Sequence, residues 1–371
     1  MLAPSLTIGI EEEYQILDPR TGELAPSARE LLADGDRPAT VQLSEELHQS
    51  MVELGTSVCK TPAEAREELV RSRKALIDLA RRHNLEIAAA GSHPYSAWED
   101  QMITPSARYL GVKADMADLA QQLLIFGTHV HVGIEDRDFL IDCMNVARYF
   151  IPHILCLSTS SPFWNGRNTG LKSYRSVIFR NLPRSGIPRV FDSWADYHSM
   201  LQTMIQTHCV ADGSRLWYDL RPSWRYRTLE FRSCDVCTTI DESICVAALF
   251  QALIAKLWKL RRDNLTFRVY PSDLIEENKW RAVRFGLDGK LLDLGRRYEV
   301  PARDLIHELI DWFLRDVIDE LGTRKEIEYA YTIMKYGSSA DRQIAVFDRS
   351  GGDIHAVVNH LIRETADGVE P

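Results

Sequence analysis

The stretch Thr7-Ile8-Gly9-Ile10-Glu11-Glu12-Glu13-Tyr14-Gln15-Ile16-Leu17 decides how the rest of the chain is read. Its β-branched and aromatic content predicts a strand, closed by the turn signal Asp18-Pro19. Successive strand side chains point to opposite faces, so Glu11 and Glu13 share one face with Gly9 and Gln15, while Ile8, Ile10, Tyr14 and Ile16 share the other. Two carboxylates side by side repel unless solvent or a cation separates them. Water would suffice on an exposed strand. In a strand this apolar, the favoured reading is a hard, oxygen-seeking cation, magnesium or manganese. Glu12 falls on the apolar face, so it must either reach the rim or mark an irregular strand.

Further along, Leu47 to Leu54 reads as a second strand that sets Glu53 on the face of Gln49 and Met51. In Phe126-Gly127-Thr128-His129-Val130-His131-Val132-Gly133-Ile134, alternation puts His129 and His131 on one face with Gly127 and Gly133. Glycines framing a polar pair imply that something bulky approaches the sheet there. A metal or phosphate contact stands level with a satisfied core pair. Trp217 to Arg232 reads as one charged strand, with Glu230 and Arg232 co-facial and Arg225 and Arg227 on the opposite side. Four arginines within its last twelve residues, Arg221, Arg225, Arg227 and Arg232, suit a polyphosphate, because guanidinium forks match phosphate oxygens. The competing reading is a salt-bridged surface strand.

Between these strands lie a loop with a short helix from Arg20 to Arg37, a strand from Leu85 to Ala90, and a helix from Thr61, with Pro62 at its first turn and Glu64 closing a capping box. Helices are also expected over Asp115–Leu124, Asp136–Leu157 with a kink at Pro152, Ser193–His208, from the Thr239/Glu242 capping box to Arg262, and over Glu277–Gly286. The C-terminal part predicts helices at Arg303–Leu321, Arg324–Tyr336 and Asp353–Glu364, with Gly337–Gln343 as a loop. The polar loop Ser158–Leu171, followed by Lys172, Arg175 and Arg180, has the make-up of a binding loop or of a plain surface excursion.

The 371 residues, 45% hydrophobic and 26% charged, carry ample core material, and no repeat or linker divides them, so a single domain over residues 1–371 is expected. A net charge of -9 argues against a nucleic-acid partner. No run approaches ~18 uninterrupted apolar residues and no secretory pattern opens the chain, so no membrane partner is expected. Seven scattered cysteines fit reduced thiols in a cytoplasm, and the lone Cys234-x-x-Cys237 lacks a second pair for zinc. No GxxxxGK[ST], GxSxG or HExxH occurs.

The ordered set Ile8–Tyr14, the Glu53 strand, Gly127–Gly133, the Ser161–Gly170 loop, Thr228–Arg232 and Glu277–Gly286 resembles the type 2 glutamate–cysteine ligase family, within the glutamine synthetase-like superfamily. The resemblance covers most of the chain and implies an α+β fold: a curved, mainly antiparallel sheet forming an active-site funnel, with helices outside. It implies ATP and Mg2+ (or Mn2+) as cofactors, and L-glutamate and L-cysteine as small-molecule substrates joined through a γ-glutamyl phosphate. Carried over by position, Glu11, Glu13, Glu53, His129 and Glu230 resemble metal ligands. His131 would contact an ion or a phosphate, while Arg232, Arg227 and Arg221 would stabilise the transferring phosphoryl group. Arg167 and Arg175 would hold the substrate carboxylate. A homo-oligomer, a dimer or larger, is expected of such a fold, and a cytoplasmic location. A ligase for another acid–amine pair and a metal-dependent phosphohydrolase stay open as alternatives, with a catalytically silent binding protein below both.

Overall fold

The computed structural model describes residues 2–35 and 41–369. Strand β1 (Ile8–Leu17) keeps strict alternation, and Ile8, Ile10, Tyr14 and Ile16 are all buried on one face. Around it gather β2 (Gln42–Glu45), β3 (Met51–Gly55), β4 (Glu86–Ala88), β5 (Gly127–Gly133), β6 (Leu220–Pro222) and β7 (Thr228–Asp235). The order is β6-β7-β5-β1-β3-β2, with β4 beside the end of β1, and every pairing is antiparallel.

The apolar face of this sheet is covered by helices. These include α1 (Pro62–Arg82), α3 (Ile151–Ser158) and α5 (Ile240–Arg262); α2 (Ala107–Met116) and α4 (Tyr174–Arg180) belong instead to the polar side described below. Thr61 caps α1 by accepting from the Glu64 amide, and Thr239 with Glu242 closes a full capping box on α5. One hydrophobic cluster runs from Ile8 to Val369, and a small separate one joins Leu47, Tyr109, Val112 and Ala120. Two helical stretches, Arg137–Ser158 and Ile240–Arg262, are long and apolar enough to cross a membrane, yet 89% and 78% of those windows are buried inside the protein.

Glu12 neither reaches the rim nor breaks the strand. It is fully buried, and Arg73 of α1 donates to both its oxygens at 2.9 Å. The Tyr14 and Ser243 hydroxyls donate to it as well, and Arg73 Nε donates to Tyr14 Oη at 2.6 Å. A buried charge survives only when paired and hydrogen-bonded, and this network supplies both.

Several elements differ from expectation. The second strand begins only at Met51; residues 46–50 form a loop back to β2, a separate strand paired with β3. The helix expected over Asp115–Leu124 lies earlier, at Ala107–Met116, and a one-turn helix Asp118–Gln121 follows a break at Ala117, whose φ is +50°. The Asp136–Leu157 helix is interrupted by a 3-10 turn at Arg148–Phe150, just ahead of Pro152, which has no amide to offer the carbonyl four residues before it. Trp217 to Arg232 is a hairpin rather than one strand: Pro222 ends β6, residues 223–227 turn, and β7 returns. Ser338 and Asp341 close a capping box, so Gly337–Gln343 opens the helix Ser339–Arg349 instead of forming a loop. The short helix expected within Arg20–Arg37 is Ala28–Ala33; positions 36 and 37 lie outside the described residues.

Candidate active site

Strand register alone assembles the polar face of the sheet. Glu11 of β1 lies opposite His129 of β5, and Glu13 opposite Glu53 of β3. His131 of β5 lies opposite Glu230 of β7, and Glu230 opposite Arg221 of β6. Directly opposed side chains sit ~5 Å apart at Cβ, close enough to share one ion. These residues line a cavity of about 470 Å³.

Three sets of side chains could each hold a cation: Glu11/His131/Glu230, Glu11/Glu53/His129 and Glu13/Glu46/Glu53, with ligand atoms in each set within 4.8 Å of one another. Glu11 approaches His129 Nδ1 at 3.5 Å and His131 Nε2 at 3.6 Å, ion-pair range but long for hydrogen bonds. Both ring nitrogens of His129 and Nε2 of His131 are buried with no hydrogen-bond partner among the described residues. Orphaned imidazole nitrogens beside carboxylates are costly unless an ion takes them. The donor sets, carboxylate oxygens with one imidazole or none, fit Mg2+ or Mn2+. His131 Nδ1 lies 2.9 Å from Thr228 Oγ1, an outer contact that would leave Nε2 free for a ligand role.

The electrostatics divide the cavity. Burial raises Glu11, yet the His129 and His131 rings outweigh it and hold that carboxyl well below the usual range. Burial likewise opposes ionisation of Glu230, but Arg232 and Arg221 hold it far down. At the other end, burial and then the Glu46 carboxylate push Glu13 up to about 7. Burial with Glu46, Glu11 and Glu13 drives Glu53 well above its ordinary value. Burial raises Glu46 too, against the pull of Arg108. Burial, aided by Arg232, lowers His129 to about 4, whereas Glu11 and Glu230 overcome burial at His131 and raise it. A trio of carboxyls that resist ionising together is a site short of positive charge.

The arginines separate by role. Arg221 is spent on structure: Nε and Nη2 fork onto Glu230 at 2.8 and 3.1 Å, and Nη1 donates to the Leu216 and Ser214 carbonyls. It orients Glu230. Arg232 sits at a β-bulge, where residues 232 and 233 together oppose His129; its Nη1 donates to Glu230 and its buried Nε has no partner among the described residues. Bulges re-aim side chains in this way. Arg175 of α4 lines the cavity, 2% exposed.

Gly127 explains its own presence, because a Cβ there would come within 2.9 Å of Arg175 Cζ. Gly133 is instead crowded by Ser5 and Thr7 of the same chain. Arg227 is exposed in the hairpin turn, where its carbonyl accepts from the Ile134 amide, and it does not line the cavity; Arg225 does. Arg167 is exposed in the short hairpin Phe163–Trp164/Arg167–Asn168, also outside the lining. The cavity thus gathers Arg221, Arg232 and Arg175 and leaves Arg227 and Arg167 outside its lining. The turn and the hairpin carry those two side chains away.

Sequence reasoning missed Glu46, Arg108, Tyr109 and the turn residues Trp224 and Tyr226, all of which line the cavity. The Glu45-Glu46 doublet just ahead of the Glu53 strand was the available signal for the first.

A sequence model described as glutamate–cysteine ligase family 2 matches residues 7–360. A protein of Roseiflexus castenholzii, provisionally named glutamate–cysteine ligase 2, is 55% identical over 363 residues, covering 98% of this chain and 95% of its own. One of the same provisional name from Solibacter usitatus is 47% identical, covering 99% and 95%. Among solved structures, the glutamate–cysteine ligase of Francisella tularensis in complex with AMP superposes with a TM-score of 0.68 at 14% identity, over 98% of this chain and 90% of that one. A bifunctional glutathione synthetase from Pasteurella multocida gives 0.69 at 13% identity, and there this chain spans 53% of the other. At such identities the likeness is one of fold: helices around an antiparallel sheet.

Proposed function

This chain belongs to glutamate–cysteine ligase family 2, and on that premise we propose that it is an ATP-dependent carboxylate–amine ligase forming a carbon–nitrogen bond. Glutamate is the acid and an α-amino acid, cysteine in the family's name, the amine. The observation that carries the reading is the convergence of Glu11, Glu13, Glu46, Glu53, His129, His131 and Glu230 with Arg232 in one cavity.

The reaction has two steps. The substrate's side-chain carboxylate oxygen bonds to the γ-phosphorus of ATP as ADP leaves. The amine nitrogen then bonds to the acyl carbon as phosphate leaves, the amine's surplus protons passing to phosphate and solvent. Such phosphoryl transfer needs alignment and charge neutralisation more than covalent help. Mg2+, when bound, would supply the charge neutralisation, and Glu11, Glu13, Glu46, Glu53, His129 and the Glu230/His131 pair would hold it. Arg232, whose Nε has no partner among the described residues, supports negative charge on the moving phosphoryl group. Arg221 keeps Glu230 in place, and Arg175 offers a cation to a substrate carboxylate.

The test incubates the pure protein with ATP, Mg2+ and glutamate, with and without a panel of amines, and follows ADP. Release that depends on both acid and amine supports the ligase. Equal release without amine would instead favour a phosphohydrolase and end this reading.

A further inference from the structure

We infer that the turn joining β6 to β7 holds the base of the nucleotide, with the purine of ATP stacked on Trp224 and Tyr226. The inference rests on the ligase reading above only in placing ATP in this cavity, and it names the side chains that grip the nucleotide apart from its phosphates.

The first observation is a pair of uncovered rings at the mouth of a charged site. Trp224 and Tyr226 are 51% and 60% exposed, and no other described apolar side chain lining the cavity is exposed to that degree. A single exposed aromatic needs no explanation. These two share the turn at residues 223–227 and flank Arg225, and all three line the cavity that gathers the cation sets. Aromatic rings interleaved with a basic side chain are what a nucleotide base requires, because the rings stack on its π-face and the cation meets its phosphates. Trp224 is braced as well: it packs on Gly213, where a Cβ would come within 2.9 Å of Cε3 of the indole.

The second observation is where the turn stands. Thr228 opens β7 opposite Gly133, the last residue of β5, so the turn lies past the Gly133 end of the polar face. Tyr226 meets His131 edge-on with ring centres 6.2 Å apart, and His131 forms one cation set with Glu11 and Glu230. The Glu13/Glu46/Glu53 set lies toward the other end of β5, where Glu13 accepts from the Gly127 amide at 2.6 Å. Gly127 is four residues before His131, ~13 Å along an extended strand. A ligand with its phosphates over the cations can therefore extend two ways. Toward Gly127 it meets carboxyls and a buried arginine; toward Gly133 it meets two aromatic rings. Glutamate, charged at both ends, has no flat apolar surface to set against those rings, and a purine has two.

The experiment measures binding of ADP and of inorganic pyrophosphate to the full-length protein with Mg2+ by calorimetry. Pyrophosphate has the same two phosphates and no base. Stacking on one ring is worth ~5- to 100-fold, so the protein should bind ADP at least about fivefold more tightly than pyrophosphate. Tyr226→Ala and Trp224→Ala should each lose at least about fivefold for ADP while pyrophosphate affinity stays within about twofold. Tyr226→Phe retains the ring and should regain most of the ADP affinity that Tyr226→Ala loses.

ADP affinity within about twofold of the parent in both alanine variants would overturn the inference and leave the ligase intact. So would an equal loss for ADP and pyrophosphate, which places the damage at the phosphates and cations rather than at the base. ADP release that needs no amine ends the ligase reading and leaves this one standing, since it requires only the nucleotide. A parent protein that binds no ADP ends both.

Discussion

Raising the pH from 6 to 8 should tighten divalent-metal binding steeply, because the ligands at one end of the cavity hold protons that a metal must displace. Glu13 is pushed up to about 7 by burial and the Glu46 carboxylate, and Glu53 is raised further. A carboxyl with such a pKa is ~10% ionised at pH 6 and ~90% at pH 8, so Glu13 alone weakens binding ~10-fold at the lower pH. Glu53 adds up to ~10-fold for each further pH unit over which it stays protonated. Carboxyls at their ordinary value of about 4.3 would contribute no change in this window.

Titration of Mn2+ or Mg2+ into metal-free protein by calorimetry, in buffers of differing ionisation enthalpy, measures both the Kd and the protons released. Glu46→Gln should flatten the pH dependence, since it removes the charge that raises its neighbours, while weakening binding at pH 8 by the loss of a ligand. The sign carries over to stability. Above about pH 4.3 the unfolded chain has released these protons and the metal-free fold retains them, so their contribution to stability falls as pH rises through 7. Saturating metal should remove that fall. A Kd flat from pH 6 to 8, with no proton release, would refute the reasoning.

Other consequences follow from the ion pairs. Arg73→Met leaves the Glu12 carboxylate buried without its cation and should cost ~3–5 kcal/mol in urea unfolding, whereas Glu12→Gln/Arg73→Met should cost much less; a single-variant loss below ~1 kcal/mol would contradict the buried pair. Arg232→Ala should lower kcat ~10²–10³-fold if its guanidinium meets the phosphoryl group. Arg227→Ala should stay within about threefold of the parent, because its side chain lies outside the cavity; comparable losses in the two would reverse the assignment.

Alternation along single strands was legible in the sequence because it is local. It put Glu11 with Glu13, His129 with His131, and the apolar residues of β1 toward the core. The ordered motifs also identified the family, and with it the fold. What alternation cannot say is which strands pair, in what register, and where a turn interrupts them.

Pairing brought Glu53 to Glu13 and Glu230 to His131, and the turn at residues 223–227 sent Arg221 to Glu230 while carrying Arg227 away. Glu46 belongs to a loop, where no periodicity marks a ligand. Glu12 shows the division most clearly. Its apolar-face position could be read from spacing, but its stability there depends on Arg73, 61 residues further along on a helix packed over the sheet. Local sterics decide the face a residue takes. Only the packing of distant elements decides what charge it meets there.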